Sequence, residues 1–83
     1  VAQGDSDVTN WQDHLGNTGF MWACFHGHVE TVKYLLTIET INVNLMNKVG
    51  WSGFTAACFE GRNEILQIML NDPRVDLVPS NKY

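Results

Sequence analysis

The segment 24–28, Cys-Phe-His-Gly-His, combines side chains that can bind a metal ion. A cysteine thiolate and two imidazoles would supply three of the four ligands of a tetrahedral zinc site. Gly27 argues against this site, because it interrupts a helix and separates the faces of the two histidines. A similar segment begins with Cys58, 34 residues after Cys24, but it has Glu60 and Arg62 in place of the two histidines. We therefore expect no bound metal and no other cofactor.

No other motif in the sequence indicates catalysis. The chain has no Gly-x-x-x-x-Gly-Lys loop for nucleotide phosphates and no paired carboxylates in an obvious pocket. Asp13 and His14 are an isolated pair of titratable neighbours at a predicted surface position. A chain of 83 residues is also small for a substrate cleft of ~300 Å³ or more. We therefore predict that the protein is not an enzyme.

Composition limits the remaining classes of partner. Hydrophobic residues make up 45% of the chain and charged residues 17%, which is typical of a folded domain rather than a disordered segment. The formal net charge is −4, without the clustered lysines and arginines of a nucleic-acid binder. No apolar run approaches the ~18 residues of a membrane span, and two cysteines are few for a secreted disulfide scaffold. We expect an intracellular, cytoplasmic protein with no nucleic-acid or membrane partner.

The sequence repeats itself at an offset of 34 residues, without an insertion between Asn10 and Lys82. The longest identical run places Ala-Cys-Phe at 23–25 on Ala-Cys-Phe at 57–59. Other identical pairs are Asn10 and Asn44, Gly16 and Gly50, Gly19 and Gly53, Phe20 and Phe54, Gly27 and Gly61, Glu30 and Glu64, Leu36 and Leu70, Asn47 and Asn81, and Lys48 and Lys82. A fixed period of this length indicates a stack of similar structural units.

Each copy predicts two helices and a finger-like loop. Thr18 and Ser52 suit a helix N-cap, because a hydroxyl oxygen can accept from the free amides of the first turn. The first helices then run over about 19–26 and 53–60, and a glycine ends each one: Gly27 and Gly61. The second helices run over roughly 29–37 and 63–71. Their apolar faces carry Val29, Val32, Leu35 and Leu36 in the first copy, and Ile65, Ile68, Met69 and Leu70 in the second.

These features resemble the ankyrin repeat, whose pattern is Thr-Pro-Leu-His, Ala-Ala, Gly-His, a Val/Leu-rich second helix and a Val-Asn finger. The first copy matches with Thr18, Ala23-Cys24, Gly27-His28 and the finger at 42–44. The second copy matches with Ser52, Ala57-Cys58 and Gly61. The resemblance covers about residues 8–78. It implies an all-α repeat fold, an α-solenoid of about two helix-turn-helix repeats with short extended finger loops.

The sequence departs from the ankyrin pattern at the start of each first helix. Gly19 and Gly53 replace the usual proline. Met21 and Thr55 replace the histidine that normally ties neighbouring loops together by hydrogen bonds. The period is also 34 rather than the usual ~33 residues. The first two departures predict helix starts that are fixed less firmly.

The repeat divides the chain into three segments. Residues 1–7 are a disordered or linker start, residues 8–44 the first repeat with its preceding finger, and residues 45–83 the second repeat with a tail toward a further finger. Such arrays usually need ~3 or more repeats for stability. We therefore expect either that the chain is part of a longer array or that partners cover its ends.

The resemblance also implies a function, which is to bind a protein without catalysis. Members of the family present a concave surface made of finger loops and the exposed side of the first helices. The matching positions are His14, Leu15, Asn17, Phe25 and His26 in the first copy, and Lys48, Val49, Trp51, Phe59 and Glu60 in the second. Several are apolar, and exposed apolar patches usually mark contact sites.

The aromatic residues allow a structural as well as a binding interpretation. Phe25 and Phe59 occupy the same repeat position and can either stack on each other or contact a partner. Trp51 is the stronger candidate for partner contact, because its equivalent in the first copy is the polar Asn17. Trp22, inside the first helix, is predicted to belong to the core.

Alternatives to partner binding stay open from the sequence. The chain can be an assembly element that associates end to end through its exposed repeat ends, or a spacer in a longer array. Its acidic charge favours a partner with a basic face. A disulfide between Cys24 and Cys58 is not expected, because equivalent helices lie ~8–10 Å apart and a disulfide needs Cα atoms within ~7 Å.

Overall fold

The computed structural model describes residues 9–76. Four helices lie wholly within this part of the chain: α1 (Gly19–His26), α2 (Val29–Leu36), α3 (Gly53–Glu60) and α4 (Asn63–Leu70). The four predicted helices are confirmed, and each bound agrees to within one residue. The predicted start segment 1–7 and the end of the predicted tail, 77–83, lie outside the described residues.

The first helix of each repeat begins and ends as its cap residues predict. Thr18 Oγ1 accepts a hydrogen bond from the backbone N–H of Met21, and Ser52 Oγ accepts the equivalent bond from Thr55. Gly27 and Gly61 end α1 and α3 with φ values of 76° and 66°, a left-handed conformation that favours glycine. These caps fix both short helices at their ends.

The helices pack as two layers. The first helices, α1 and α3, pack against each other, and so do the second helices, α2 and α4. Each first helix also packs against the second helix of its own repeat. The core between them consists of Phe20, Ala23, Cys24, Val32, Ile41, Val43, Ala57, Ile65, Met69 and Val75. None of the helices in this described part is long and apolar enough to cross a lipid bilayer.

The apolar face predicted for the second helices is correct in part. Val32 is fully buried on α2, and Ile65 and Met69 are fully buried on α4. The assignment of Leu70 to this face is wrong, because 51% of its surface is exposed. Leu66 packs against the core instead, one turn after the N-cap of α4. The last residue of α4 therefore carries an apolar side chain that stays half exposed within residues 9–76.

The finger loops follow the 34-residue period in their hydrogen bonds. Asn10 bonds the backbone at residues 40 and 42, over 2.8 and 2.7 Å. Asn44, one repeat later, bonds the backbone at residues 74 and 76, each over 2.8 Å. The segment 38–50 contains turns rather than strands, but Val43 is buried in the core as an anchor of the loop. One asparagine in each copy thus ties successive loops together.

Candidate binding site

A cleft of about 250 Å³ opens between the first helix of one repeat and the finger loop of the next. The first copy contributes Asn17, Met21, Trp22 and Phe25, and the second contributes Asn47, Val49, Trp51, Ser52 and Ala56. Most of these side chains are apolar, and none carries a formal charge. The cleft is therefore a neutral, largely apolar surface that exists only because two repeats are stacked.

The cleft owes its space to unequal residues at equivalent positions. Trp22 on α1 and Ala56 on α3 stand 34 residues apart, so a large side chain in one repeat faces a small one in the next. Trp51 takes the position that Asn17 has in the first copy. It directly precedes Ser52, the N-cap of α3. The helix cap thus fixes the point from which the second tryptophan projects.

Trp22 is a wall of this cleft, and the prediction that it belongs to the core is wrong. Its exposed fraction is 46%. Phe20, Met21, Ala23 and Cys24 form the buried side of α1. Trp22 instead shares the opposite face with residues 25 and 26, which follow it at spacings of three and four. Residues at those spacings are neighbours on a helix, so this pattern is the signal that places Trp22 on the outer face.

The aromatic rings contact one another within each repeat. The ring of Trp22 lies 6.3 Å from that of Phe25, edge to face at 84°, and 5.5 Å from that of His26, nearly parallel at 11°. The ring of Trp51 lies 5.0 Å from that of Phe59. The alternative in which Phe25 and Phe59 stack on each other is wrong, because each contacts a tryptophan of its own repeat. Such pairs contribute about 0.5–1.5 kcal/mol each and hold the cleft walls in place.

Asn47 fixes the second finger at the mouth of the cleft. Its side-chain oxygen accepts from the backbone N–H groups of Val49 and Trp51, over 3.0 and 2.9 Å. Its side-chain NH₂ donates to the side-chain oxygen of Asn17 over 2.9 Å, which joins the finger to the first repeat. Neither wall of the cleft is therefore held by packing alone.

Asp13 holds the first finger in the same way as Asn47 holds the second. Its carboxylate accepts from the backbone N–H groups of Asn17 and Leu15, each over 2.9 Å. The bond from Asn17 is the main reason that the pKa of Asp13 lies below its usual value, and the bond from Leu15 lowers it further. The carboxylate stays ionised near neutral pH beside the first cleft tryptophan.

The comparisons with known proteins identify the type of repeat. A family model described as ankyrin repeats, in three copies, matches residues 3–80. The chain belongs to the ankyrin repeat family. No curated protein and no solved structure matches it. Ankyrin repeats are generally protein–protein interaction modules, and the family is typically non-catalytic.

The ankyrin pattern predicts some of the residues that this cleft brings together. Of the sequence-predicted positions, Asn17, Phe25, Val49 and Trp51 line it. The others lie outside its lining: His14, Leu15, His26 and Lys48 are exposed, Phe59 is exposed beside Trp51, and Glu60 is half-buried. The prediction omitted Met21, Trp22, Asn47, Ser52 and Ala56.

The segment 24–28 does not form a convergent set of ligands in this ankyrin chain. Cys24 is fully buried in the core, and burial raises the pKa of its thiol to about 12. His26 stacks on Trp22, and both histidines are exposed. Within residues 9–76, no three His, Cys, Asp or Glu side chains are grouped as metal ligands. Cys24 and Cys58 are both free thiols, the first buried and the second exposed.

Proposed function

We propose that the protein binds another protein through a concave surface centred on the cleft between the two repeats. The observation that carries the proposal is that Trp22 and Trp51, from different repeats, line one partly open apolar cleft. Tryptophan is enriched among residues that dominate binding energy, especially at the centre of an interface. His14, Leu15, His26, Lys48, Phe59 and Glu60 would form its rim. The protein acts by presenting this surface, without catalysis.

The size and charge of the cleft favour a protein partner over other ligands. Its volume of about 250 Å³ lies below the ~300–1,000 Å³ typical of small-molecule sites. Aromatic rings can also stack on nucleic-acid bases, but such binding needs lysines and arginines to neutralise phosphates. The net charge of −4 opposes that. A single protein side chain is the ligand that matches both properties.

The free thiols of Cys24 and Cys58 support the proposal of a reducing, cytoplasmic setting for this interaction. The repeat boundaries that we propose are 8–44 and 45–83, with residues 1–7 as a linker. The boundary between them falls in the second finger, which supplies part of the cleft. Cutting the chain there would therefore separate the two walls.

A matched pair of tryptophan variants tests the proposal. Trp51→Ala removes a cleft wall, whereas Trp11→Ala removes an exposed tryptophan that does not line the cleft. The wild type and both variants, matched in circular dichroism, would capture partners from a lysate for mass spectrometry. We expect the same protein with the wild type and Trp11→Ala, and its loss with Trp51→Ala. Equal recovery with all three would disprove a role for the cleft.

The exposed end of α4 favours one second candidate, which is assembly end to end. Leu70 on α4 is half exposed, although its equivalent, Leu36, packs against the core. A second copy could cover this position. Sedimentation velocity over a concentration series would detect it: a mass that grows with concentration in wild type but not in Leu70→Glu supports assembly. A constant monomer mass excludes it.

A further inference from the structure

The lining of the cleft selects the kind of side chain that can enter it. Its walls are Trp22, Phe25 and Trp51, and its remaining apolar contacts come from Met21, Val49 and Ala56. None of the nine lining residues is charged. A buried charge without a partner is costly, whereas a large apolar side chain gains free energy by leaving water. The chemistry of the lining therefore favours one large apolar side chain.

Two hydrogen-bond donors line the same cleft without an acceptor in the described residues. The carboxamide oxygen of Asn17 accepts from Asn47, which leaves the NH₂ group of Asn17 without an acceptor within residues 9–76. The indole N–H of Trp51 likewise has no hydrogen-bond acceptor in that range. A ligand with accessible carbonyl oxygens beside its apolar group would satisfy them. An extended polypeptide has a carbonyl at every residue.

The charges near the cleft favour basic residues on either side of the inserted group. The Asp13 carboxylate accepts from the backbone N–H of Asn17, which lines the cleft, and Glu60 follows Phe59, which contacts Trp51. Lys48 is the basic residue of the second finger, which also carries Val49 and Trp51. Arg62 donates from Nε to the backbone carbonyl of Phe25, and the remaining basic residues of the described range form ion pairs: Lys33 with Glu30, and Arg74 with Asp72. With a net charge of −4, the chain attracts a basic segment and repels a second copy of itself.

We propose that the cleft binds an extended segment of a partner protein that inserts one large apolar side chain between Trp22 and Trp51 and carries Lys or Arg next to it. This inference rests on the proposed function and specifies its ligand. The apolar side chain supplies affinity, and the backbone carbonyls meet Asn17 and Trp51. The basic neighbours supply charge complementarity to Asp13, Glu60 and the acidic chain as a whole.

Synthetic peptides test the ligand chemistry directly. The probes are acetylated and amidated heptapeptides, Gly-Lys-Gly-X-Gly-Lys-Gly, in which X is Trp, Phe, Leu, Ala or Glu. A second series replaces both lysines by glutamates. We expect peptides with Trp, Phe or Leu at X to bind about tenfold or more tightly than those with Ala. The glutamate series should bind more weakly, and added salt should reduce the difference between the two series.

The indole N–H signals of the chain locate the binding site. In ¹H–¹⁵N correlation spectra of the wild type, we expect the signals of Trp22 and Trp51 to shift with added peptide. The signal of Trp11 should stay in place, because Trp11 does not line the cleft. Tryptophan-to-phenylalanine variants assign the three signals. This readout uses the folded wild type, so it does not depend on the stability of a variant.

The outcomes separate this inference from the proposed function. Preference for Ala or Glu at X, or for the glutamate series, would overturn the ligand chemistry. If the partner captured from the lysate still required Trp51, the proposed function would stand although the proposed ligand chemistry had failed. A shift of Trp11 alone would overturn the proposed location. If no peptide bound and the mass of the protein in solution rose with its concentration, the occupant of the cleft would be a second copy of the chain. This result would also overturn the inference.

Discussion

Gly53 packs directly against the ring of Phe20 across the boundary between the repeats. A Cβ atom at Gly53 would lie 2.6 Å from Cε2 of Phe20 and 3.1 Å from Sγ of Cys24. The equivalent Gly19 is exposed, and a Cβ atom there would meet nothing within 4 Å. The ankyrin pattern predicts that both glycines loosen the helix starts, because they replace a proline. The structure gives Gly53 a different role, because its missing side chain lets α3 approach α1 closely.

The two glycines should therefore respond in opposite ways to the same substitution. Gly53→Ala forces Phe20 to move and should lower the free energy of unfolding by about 1–3 kcal/mol. Gly19→Ala should raise it by about 0.4–1 kcal/mol, because alanine restricts the unfolded chain and fits the helix. Urea unfolding followed by circular dichroism measures both. A similar effect of the two variants would show that the close approach at Gly53 has no energetic weight.

Arg62 links the repeats at the end of α1. Its Nε donates to the backbone carbonyl of Phe25 over 3.1 Å, and a Cβ atom at Gly27 would lie 3.1 Å from the guanidinium. Arg62→Ala should cost about 1 kcal/mol. Gly27→Ala should cost more than Gly61→Ala, whose Cβ atom has open space, although both need the left-handed conformation.

A double-mutant cycle separates the strain at Gly27 from its crowding by Arg62. Urea midpoints of Gly27→Ala and Gly61→Ala would be compared in the wild type and in Arg62→Ala. We expect the excess cost at Gly27 to shrink when Arg62 is absent. An excess that stays unchanged would mean that the arginine moves aside freely and does not pack on this turn.

Acid should destabilise the protein through Asp13 and Asp72. Both carboxyl groups have a pKa below the usual 3.8, the first mainly through the backbone N–H of Asn17 and the second mainly through the Arg74 side chain. A carboxyl group whose pKa is lower in the folded state stabilises the fold at any pH above its pKa in the unfolded state. This stabilisation is lost as the pH falls through its pKa in the folded state. Melting temperature should therefore decline below about pH 4.

Asparagine substitutions test the origin of that decline. Asp13→Asn keeps the acceptor oxygen, as Asn47 does in the second finger, so it should fold while its melting temperature depends less on pH in the acid range. Asp72→Asn removes the ion pair with Arg74 as well. If the melting temperature fell equally steeply with acid pH in the wild type and in both variants, Asp13 and Asp72 would not be the origin of the decline.

The two thiols should differ sharply in reactivity. Cys58 is exposed, whereas Cys24 is fully buried with a pKa raised to about 12. A thiol reagent needs an accessible thiolate, so the native protein should react rapidly at one thiol and slowly at the second. Denaturant should make both reactive. Cys58→Ser should abolish the fast phase, and two fast thiols in the native wild type would mean that the core around Cys24 opens readily.

The helices of this fold are predictable from the sequence because their ends carry local signals. Thr18, Ser52, Gly27 and Gly61 act within one turn of their own position, so the sequence alone fixes where α1 and α3 begin and end. The exposure of Leu70 is different, because it depends on whether another repeat covers α4. No local pattern carries that information.

The cleft is less predictable, since it forms between repeats. Finger positions such as Val49 and Trp51 follow from the family pattern, but Ala56 matters only because it faces the larger Trp22. The size and apolar character of Trp22 suggest a core residue, but it is 46% exposed. Its spacing from Phe25 and His26 predicts its exposure correctly, because helical geometry places the three on one face.

The long-range hydrogen bonds described within residues 9–76 join residues 30 to 38 positions apart, as in the Asn10, Asn44, Arg62 and Arg74 contacts. No such bond skips a unit. The contact order of an extended stack therefore does not grow when a unit is added, and each new unit closes a loop of constant length. Folding can then spread from one unit to its neighbour at a nearly constant entropic cost, whatever the length of the array.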